Sequence, residues 1–222
     1  MSLLQVRDVQ AAYGESQVLF GMGLSLMPGE VMGLLGRNGM GKTTLIRSIL
    51  GLKSVKSGQV VFDGHDITNQ TADRVARLGL AVVPEGRQVF PNLSVDEHLT
   101  AFVSNRHQSR TPWTPARVYE LFPRLAERRA NMGSQLSGGE QQMLAIGRAL
   151  VTNPRLMILD EATEGLAPLI AREIWRICSV IKESGISSII VDKNWKHVTQ
   201  ITDRNVILVK GQVVFEGSSQ IL

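Results

Sequence analysis

Short apolar segments alternate along the chain with segments of helical periodicity. Four segments run apolar without alternation, as strands buried on both faces of a parallel sheet do: residues 31–35, 79–84, 156–160 and 187–192. Three other segments, which alternate with these strands, have helical spacing: 44–50, 139–151 and 169–184. This order predicts an α/β fold, in which a mainly parallel sheet carries helices on its faces.

The two ends of the chain and its middle show other patterns. Residues 1–60 contain short strand-like runs separated by turns, which predicts an antiparallel β subdomain at the N-terminus. Residues 206–215 predict a hairpin. Between about 86 and 150, prolines interrupt helical segments, and this predicts a helical lobe inserted between two strands of the sheet. We therefore expect one domain over residues 1–222 with an inserted helical subdomain.

Composition and charge exclude several classes of protein. Hydrophobic residues make up 43% and charged residues 20%, which excludes a disordered chain. Cys178 is the only cysteine, so neither a disulfide framework nor a four-thiolate zinc site is expected. The net charge of +4 is not concentrated in one run, so no nucleic-acid partner is expected. No apolar run is long enough for a membrane span, and we expect a cytoplasmic protein that another chain anchors if it works at a membrane.

A glycine-rich loop follows the first buried strand and opens a helix. It matches G-x-x-x-x-G-K-[ST] at every fixed position and consists of Gly36, Arg37, Asn38, Gly39, Met40, Gly41, Lys42 and Thr43, followed by Thr44. Glycines let the backbone N–H groups curl around phosphate oxygens, because no Cβ obstructs them. We expect Lys42 to reach the β- and γ-phosphates and the Thr43 hydroxyl to coordinate Mg²⁺. The loop predicts a nucleoside triphosphate site.

Two acidic residues follow the apolar part of segment 156–160. Asp160 is expected to hold Mg²⁺ from its outer coordination sphere. Glu161 can orient the water that attacks the γ-phosphate, or accept its proton. Acids at a strand end often only cap the next helix, but their combination with a phosphate loop favours the functional interpretation.

A second pattern suited to anions opens the helix at 139–151. Ser137 is followed by Gly138 and Gly139, so backbone amides, the helix dipole and one hydroxyl could bind an anion together. The chain already binds one nucleotide at its phosphate loop. An anion site at this segment would therefore bind a second nucleotide, or a nucleotide held by another chain. A simple N-cap would explain the serine but would not require two consecutive glycines.

In this order, the motifs resemble those of the ATP-binding subunits of ABC transporters along essentially the whole chain. The resemblance is carried by Tyr13, the loop Gly36 to Thr43, Val83-Pro84, the segment Leu136, Ser137, Gly138, Gly139 and Glu140, and Leu156 to Glu161. It implies an ATPase with a P-loop core that uses ATP and Mg²⁺. It also implies a head-to-tail dimer in which Leu136–Glu140 of one chain binds the ATP held by the other. Tyr13 matches the aromatic residue that stacks on adenine.

Three further segments resemble one branch of that family: Val83 to Arg87, Glu164 to Pro168 and Val191 to Asn194. They are similar to the second ATPase subunit of branched-chain amino-acid importers, or of urea and amide importers. The resemblance implies integral membrane permease subunits, an external solute-binding protein that acts indirectly, and a peripheral position on the cytoplasmic face of the inner membrane. It also implies a related second ATPase subunit, with a homodimer as the alternative in isolation.

Two positions depart from the common family pattern. Glu85 stands where most members have Gln, although the close branch often has Glu, and a carboxylate there can still ligate Mg²⁺. Lys193 stands where most members have a histidine and this branch often has Gln. An ammonium can only donate, so we expect Lys193 to contact the γ-phosphate and to alter hydrolysis. His197, four residues later, is expected to belong to the next helix.

Two alternatives to a transport ATPase stay open. An ABC-type ATPase that drives a soluble assembly, such as iron–sulfur cluster biogenesis, is also a single short domain. A nucleotide sensor that closes without turnover is the other class, and Glu161 argues against it. The sequence does not identify the solute.

Overall fold

The computed structural model describes residues 1–219; residues 220–222, which the single-domain prediction also covers, lie outside the described residues. Its strands are β1 (Leu4–Tyr13), β2 (Ser16–Leu26), β3 (Val31–Leu35), β4 (Ser57–Phe62), β5 (His65–Asp66), β6 (Leu80–Val83), β7 (Leu156–Asp160), β8 (Ser187–Val191), β9 (Arg204–Val209) and β10 (Gln212–Ser218). Its α-helices are α1 (Lys42–Ile49), α2 (Ala72–Arg77), α3 (Val95–Ala101), α4 (Pro115–Leu121), α5 (Pro123–Glu127), α6 (Gly138–Leu150), α7 (Pro168–Glu183) and α8 (Trp195–Ile201).

The larger sheet has six strands in the order β10-β9-β3-β8-β7-β6. All neighbours from β9 to β6 pair in parallel, and only β10 is antiparallel, so the predicted mainly parallel sheet is confirmed. Every residue of β3, β7 and β8 is buried. Burial on both faces explains why these strands run apolar without alternation.

The smaller sheet confirms the predicted antiparallel subdomain. Its order is β2-β1-β4-β5, and each pair is antiparallel. Strands β1 and β2 are longer than the sequence pattern suggests, because register shifts after Val6 and Val9 interrupt the alternation of buried and exposed positions. Asp8 lies at this irregularity with a φ of 48°. A bulge of this kind hides a strand from a period-two search.

Helices α3 to α6 lie between β6 and β7 in the chain. Their apolar faces join α7 and the parallel strands in one hydrophobic cluster, to which α6 contributes Leu144, Ile146 and Leu150. A second cluster fills the space between the antiparallel sheet, the parallel strands and α1. The sequence pattern missed α2 and α5 because helices of six and five residues are too short to show a period. Helix α8 contains His197, as predicted.

Among the described residues, no helix has the length and apolar character needed to cross a bilayer.

Strand β3 comes unusually close to its neighbours at Gly33. A Cβ on Gly33 would overlap the Asn205 Oδ1 atom and would lie 2.8 Å from Val198 Cγ1. Asn205 is fully buried, accepts a hydrogen bond from Thr202 Oγ1 (3.0 Å) and donates one to Ser219 Oγ (2.8 Å). The asparagine therefore cannot move aside without losing buried hydrogen bonds.

We expect Gly33→Ala to lower the free energy of unfolding by about 1–3 kcal/mol, because the added methyl group overpacks a site that cannot relax. Gly23→Ala is the matched control on β2: its Cβ would be exposed and would meet only the Val6 carbonyl oxygen, at 3.8 Å. The control should be neutral or stabilising by up to about 1 kcal/mol, because alanine restricts the unfolded chain more than glycine does. Urea denaturation compares the two, and equal losses would contradict the packing argument.

Candidate functional site

The loops after β3, β7 and β8 meet at one edge of the larger sheet. These strands are parallel neighbours, so their carboxyl ends share an edge, where ligands of open α/β sheets bind. A cavity of 410 Å³ opens there. Its lining consists of Val18, Asn38, Gly39, Gly41, Lys42, Thr43, Thr44, Glu85, Glu161 and Lys193. The structure thus brings the predicted phosphate loop, both unusual positions and Glu161 to one cavity.

The phosphate loop depends on glycine at its first residue and at the start of its helix. A Cβ on Gly36 would lie 2.5 Å from the Leu208 carbonyl oxygen of β9, so only glycine fits there. Gly41 has a φ of 102° and is the N-cap of α1. The Lys42 ammonium donates to the carbonyl oxygens of Gly36 (2.6 Å) and Arg37 (3.0 Å). A phosphate must therefore compete with the loop's own carbonyls for this ammonium.

The hairpin between β9 and β10 contacts the phosphate loop at Met40. Gly211 N–H donates to the Met40 carbonyl oxygen at 3.0 Å, and Lys210 N–H lies 3.2 Å from Met40 Sδ. Met40 also packs against the hydrophobic cluster under the antiparallel sheet. Its side chain is thus structural, and only its backbone can face a phosphate.

Asp160 is buried at the end of β7, with 6% of its surface exposed, and is not among the residues that line the cavity. Burial, reinforced by the nearby Glu85 carboxylate, raises the pKa of Asp160. Burial also lowers the pKa of Lys42, although Glu161 and Asp160 oppose this shift. Thr43 and Glu85 line the cavity, and the Glu85 carboxylate is near enough to act on Asp160. All three residues carry hard oxygen donors. Such a set fits Mg²⁺.

Glu161 has a left-handed backbone conformation, and its carboxylate lies near the Lys193 ammonium and the Glu164 carboxylate. Its φ is 52°, which is strained for a residue with a side chain, and its N–H donates to the Val191 carbonyl oxygen at 2.8 Å. Its Oε2 lies 3.4 Å from the Lys193 ammonium, which also forms an ion pair with Glu164. Burial and the Glu164 carboxylate raise the pKa of Glu161, whereas Lys193 acts in the opposite direction.

Asp192 ties the loops after β7 and β8 together. Its Oδ2 accepts hydrogen bonds from Thr163 Oγ1 (2.6 Å) and Thr163 N–H (3.2 Å), and its Oδ1 accepts one from Asn194 N–H (2.9 Å). The clamp keeps Lys193 close to the acidic residues of the neighbouring loop.

The segment Leu136–Glu140 is not part of this cavity's lining. Ser137 Oγ accepts a hydrogen bond from Glu140 N–H (3.3 Å), and Glu140 Oε2 accepts one from Ser137 N–H (2.8 Å), which is a capping box at the start of α6. A Cβ on Gly138 would lie 2.8 Å from Arg87 Nη1, and one on Gly139 would lie 2.8 Å from Ile170 Cγ2. Both glycines therefore lie against side chains from other segments of the chain. The Arg87 guanidinium is the end of a flexible side chain and can move aside, so the closer constraint is the Ile170 contact at Gly139. Anion binding by this segment stays a prediction.

Tyr13 ends β1 outside the cavity's lining, with 45% of its surface exposed. The Lys53 ammonium lies 4.2 Å from the centre of its ring, so a cation already covers one face. The exposed part of the ring is open to solvent, and stacking on adenine stays a prediction.

Sequence reasoning did not single out Glu164 and Asp192 as individual residues of the site. The available signal was the adjacency of two buried strands: Asp160 pairs with Val191, so the residues that follow them emerge side by side. That pairing depends on the strand order, which the periodicity of the sequence does not contain. Val18, which reaches the cavity from β2, had no signal in the sequence at all.

Comparison with known proteins gives the family of this chain. Residues 19–164 match the ABC transporter family. The chain is 36% identical to the high-affinity branched-chain amino acid transport ATP-binding protein BraG of Pseudomonas aeruginosa, over 99% of this chain and 94% of that protein. It is 31% identical to the lipopolysaccharide export system ATP-binding protein LptB of Escherichia coli, over 98% and 91% of the two chains. A nucleotide-free ATP-binding cassette from an ABC transporter superposes with a TM-score of 0.85 at 28% identity, covering 98% of this chain and 92% of the other. This chain therefore belongs to the ABC transporter family, as an ATP-binding subunit that hydrolyses ATP.

Proposed function

We propose that the chain drives the uptake of branched-chain amino acids as an ATPase subunit of an ABC importer. The 36% identity to a branched-chain amino acid transport subunit, against 31% to a lipopolysaccharide export subunit, supports import over export. Three segments that resemble this branch support the same conclusion: Val83 to Arg87, Glu164 to Pro168 and Val191 to Asn194. Both relatives are transport subunits, which favours transport over a soluble assembly such as iron–sulfur cluster biogenesis.

The composition of the 410 Å³ cavity carries the proposal of a two-chain site. Its lining contains the phosphate loop, Glu85, Glu161 and Lys193, but no residue of Leu136–Glu140. A head-to-tail dimer would bring that segment of a second chain to the open side of the cavity. Each ATP would then lie between two chains, and the two sites would be equivalent in a homodimer. In the cell, we propose that the partner is a related second ATPase subunit.

We assign the residues of the cavity, together with Tyr13 and Asp160 outside its lining, to parts of ATP and its metal. The backbone amides of residues 36–44 surround the phosphates, Lys42 contacts the β- and γ-phosphates, and Tyr13 stacks on adenine. Thr43, Glu85 and Asp160 would hold Mg²⁺, which supplies charge neutralisation of the phosphate oxygens when it is bound. Lys193 donates to the γ-phosphate.

Glu161 is the residue that we assign to the attacking water. Its raised pKa brings its basicity closer to that of a useful general base at neutral pH. Its strained backbone is fixed by the hydrogen bond to Val191, and its carboxylate contacts the Lys193 ammonium at 3.4 Å before the substrate binds. The same carboxylate must be ionised to accept a proton.

An apolar groove supports a contact with a membrane permease subunit. The groove has a volume of 420 Å³, and residues of α2, β6 and α6 line it together with the residues that follow α1 and α3. Phe90 and Phe102 stack in it at 6.4 Å, and the Arg148 guanidinium lies 5.6 and 5.7 Å from their ring centres. Glu85 of the ATP cavity is only five residues from Phe90. Because this connection is so short, we propose that the helices of residues 86–150 form the surface that transmits ATP binding to the permease.

The subunit would then be peripheral on the cytoplasmic face of the inner membrane, and an external binding protein would deliver the solute. The complete importer tests this proposal: its ATPase activity should rise with binding protein that carries leucine, isoleucine or valine. Stimulation by urea or an amide instead would assign the chain to the related urea and amide importers. Stimulation by lipopolysaccharide would favour a role in export.

Replacing Lys193 should move the pH profile of catalysis. Lys193→Met removes the charge that lowers the pKa of Glu161, so that pKa rises further. Because Glu161 must be ionised in the free enzyme, the acidic limb of the kcat/KM profile should move to higher pH. Lys196→Met, a nearby exposed lysine on α8, is the control and should leave the limb in place. A limb that stays in place or moves to lower pH in Lys193→Met would contradict the assigned role of Glu161.

Mixtures of inactive variants test the head-to-tail dimer. Lys42→Ala and Ser137→Arg should each lose magnesium-dependent ATPase activity, and their equal mixture should recover about a quarter of the wild-type rate. Half of the dimers would be mixed, and each of these has one intact site of two. Lys42→Ala mixed with Glu161→Gln is the control without recovery, because both changes lie in the same chain's cavity. The proposal fails if the first mixture stays inactive.

The dependence of turnover on protein concentration gives an independent measurement. Below the dimerisation constant, the wild-type ATPase rate should rise with the square of the concentration of the chain, because two copies build each site. A linear dependence over the same range, with full activity, would show that one chain suffices.

A further inference from the structure

The Lys193 ammonium is shared between two carboxylates at the wall of the ATP cavity. It lies 3.4 Å from Glu161 Oε2 and forms a closer ion pair with Glu164. The Glu161 side chain is 14% exposed and that of Glu164 is 40% exposed. Glu164 is therefore the outer partner of the ammonium, and Glu161 is the inner one.

The loop structure holds Glu164 and Lys193 together. The Glu164 N–H donates to the Glu161 carbonyl oxygen at 3.1 Å, which closes a tight turn after β7. Thr163, in this turn, is bonded to Asp192, the residue before Lys193. The two charged residues therefore extend from loops that are already tied to each other, so their ion pair is preorganised.

The same ammonium faces the phosphate loop. Lys193 lines the cavity together with Asn38, Gly39 and Lys42. Lys42 donates to carbonyl oxygens of its own loop, whereas Lys193 is neutralised by acids. A γ-phosphate that binds Lys193 must therefore take the ammonium from Glu164 and Glu161.

We propose that Glu164 is a positioning residue that competes with the γ-phosphate for Lys193 and thereby sets the preference of the chain for ATP over ADP. The inference rests on the proposed contact between Lys193 and the γ-phosphate. ADP has no γ-phosphate, so it leaves the ammonium with the two acids. A histidine or glutamine at position 193 would be neutral and would need no counter-charge, whereas a lysine carries a full charge that Glu164 offsets.

The competition predicts a selective effect of Glu164→Gln. Affinities for magnesium–ADP and for the magnesium complex of the non-hydrolysable β,γ-imido analogue of ATP are measured by calorimetry on the full chain. Removal of the competing anion should tighten binding of the ATP analogue by about twofold to fivefold relative to ADP, the range of a partly exposed ion pair. Glu216→Gln is the matched control, because it also breaks an ion pair, with Arg204, but at the start of β9 on the opposite edge of the sheet.

A double-mutant cycle separates this competition from a general change of charge. In the Lys193→Met background, Glu164→Gln should leave the ratio of the two affinities unchanged, because no ammonium remains for which Glu164 could compete. The proposal is overturned if the ratio does not change in the single variant, or if it changes equally in both backgrounds. Lys193→Met alone should weaken binding of the ATP analogue by roughly tenfold or more and leave ADP unaffected.

Failure of this inference can be told apart from failure of the proposed function. If the wild-type chain binds both nucleotides and Glu164→Gln leaves their affinity ratio unchanged, only the proposed role of Glu164 fails. If the chain in its complete importer shows no solute-stimulated ATPase activity, the transport role fails, whatever the affinity ratio is.

Discussion

The parallel pairing of β3, β8 and β7 is the constraint on which the functional site depends. Met32 pairs with Ile189, and Asp160 pairs with Val191, so the three strands end at one edge of the sheet. The phosphate loop, Glu161 and Lys193 each follow directly, or nearly so, after one of these strands. None of them could meet the others if the strand order were different. The burial of all three strands makes this arrangement rigid, because every residue in them is packed on both sides.

Contacts from distant parts of the chain then fix the loops. The β9–β10 hairpin binds the Met40 backbone, and Leu208 leaves space at Gly36 only for a glycine. Asp192 clamps Thr163, which holds the loop after β7 against the loop after β8. These contacts preorganise the cavity in the single chain, so little ordering remains to oppose nucleotide binding.

The two ammonium groups of the cavity already have acceptors before any nucleotide binds. Lys193 is paired with Glu161 and Glu164, while Lys42 donates to backbone carbonyls. Burial raises the pKa of Asp160, and the nearby Glu85 carboxylate adds to this effect. The carboxylate oxygens of Glu85 and Asp160 suit the Mg²⁺ that accompanies ATP, because the positive charge of the metal would offset theirs.

The sequence by itself determined the fold class, the phosphate loop, the acid pair at the end of β7 and the family. Each of these depends on residues that are adjacent in the chain or repeat with a local period. It could not determine what packs against Gly138 and Gly139, since their neighbours Arg87 and Ile170 come from other segments. Nor could it reveal the pairing of Lys193 with Glu164, which lie 29 positions apart. Only the tertiary structure decided these contacts, because strand order and loop closure set the distances between such residues, and local periodicity contains neither.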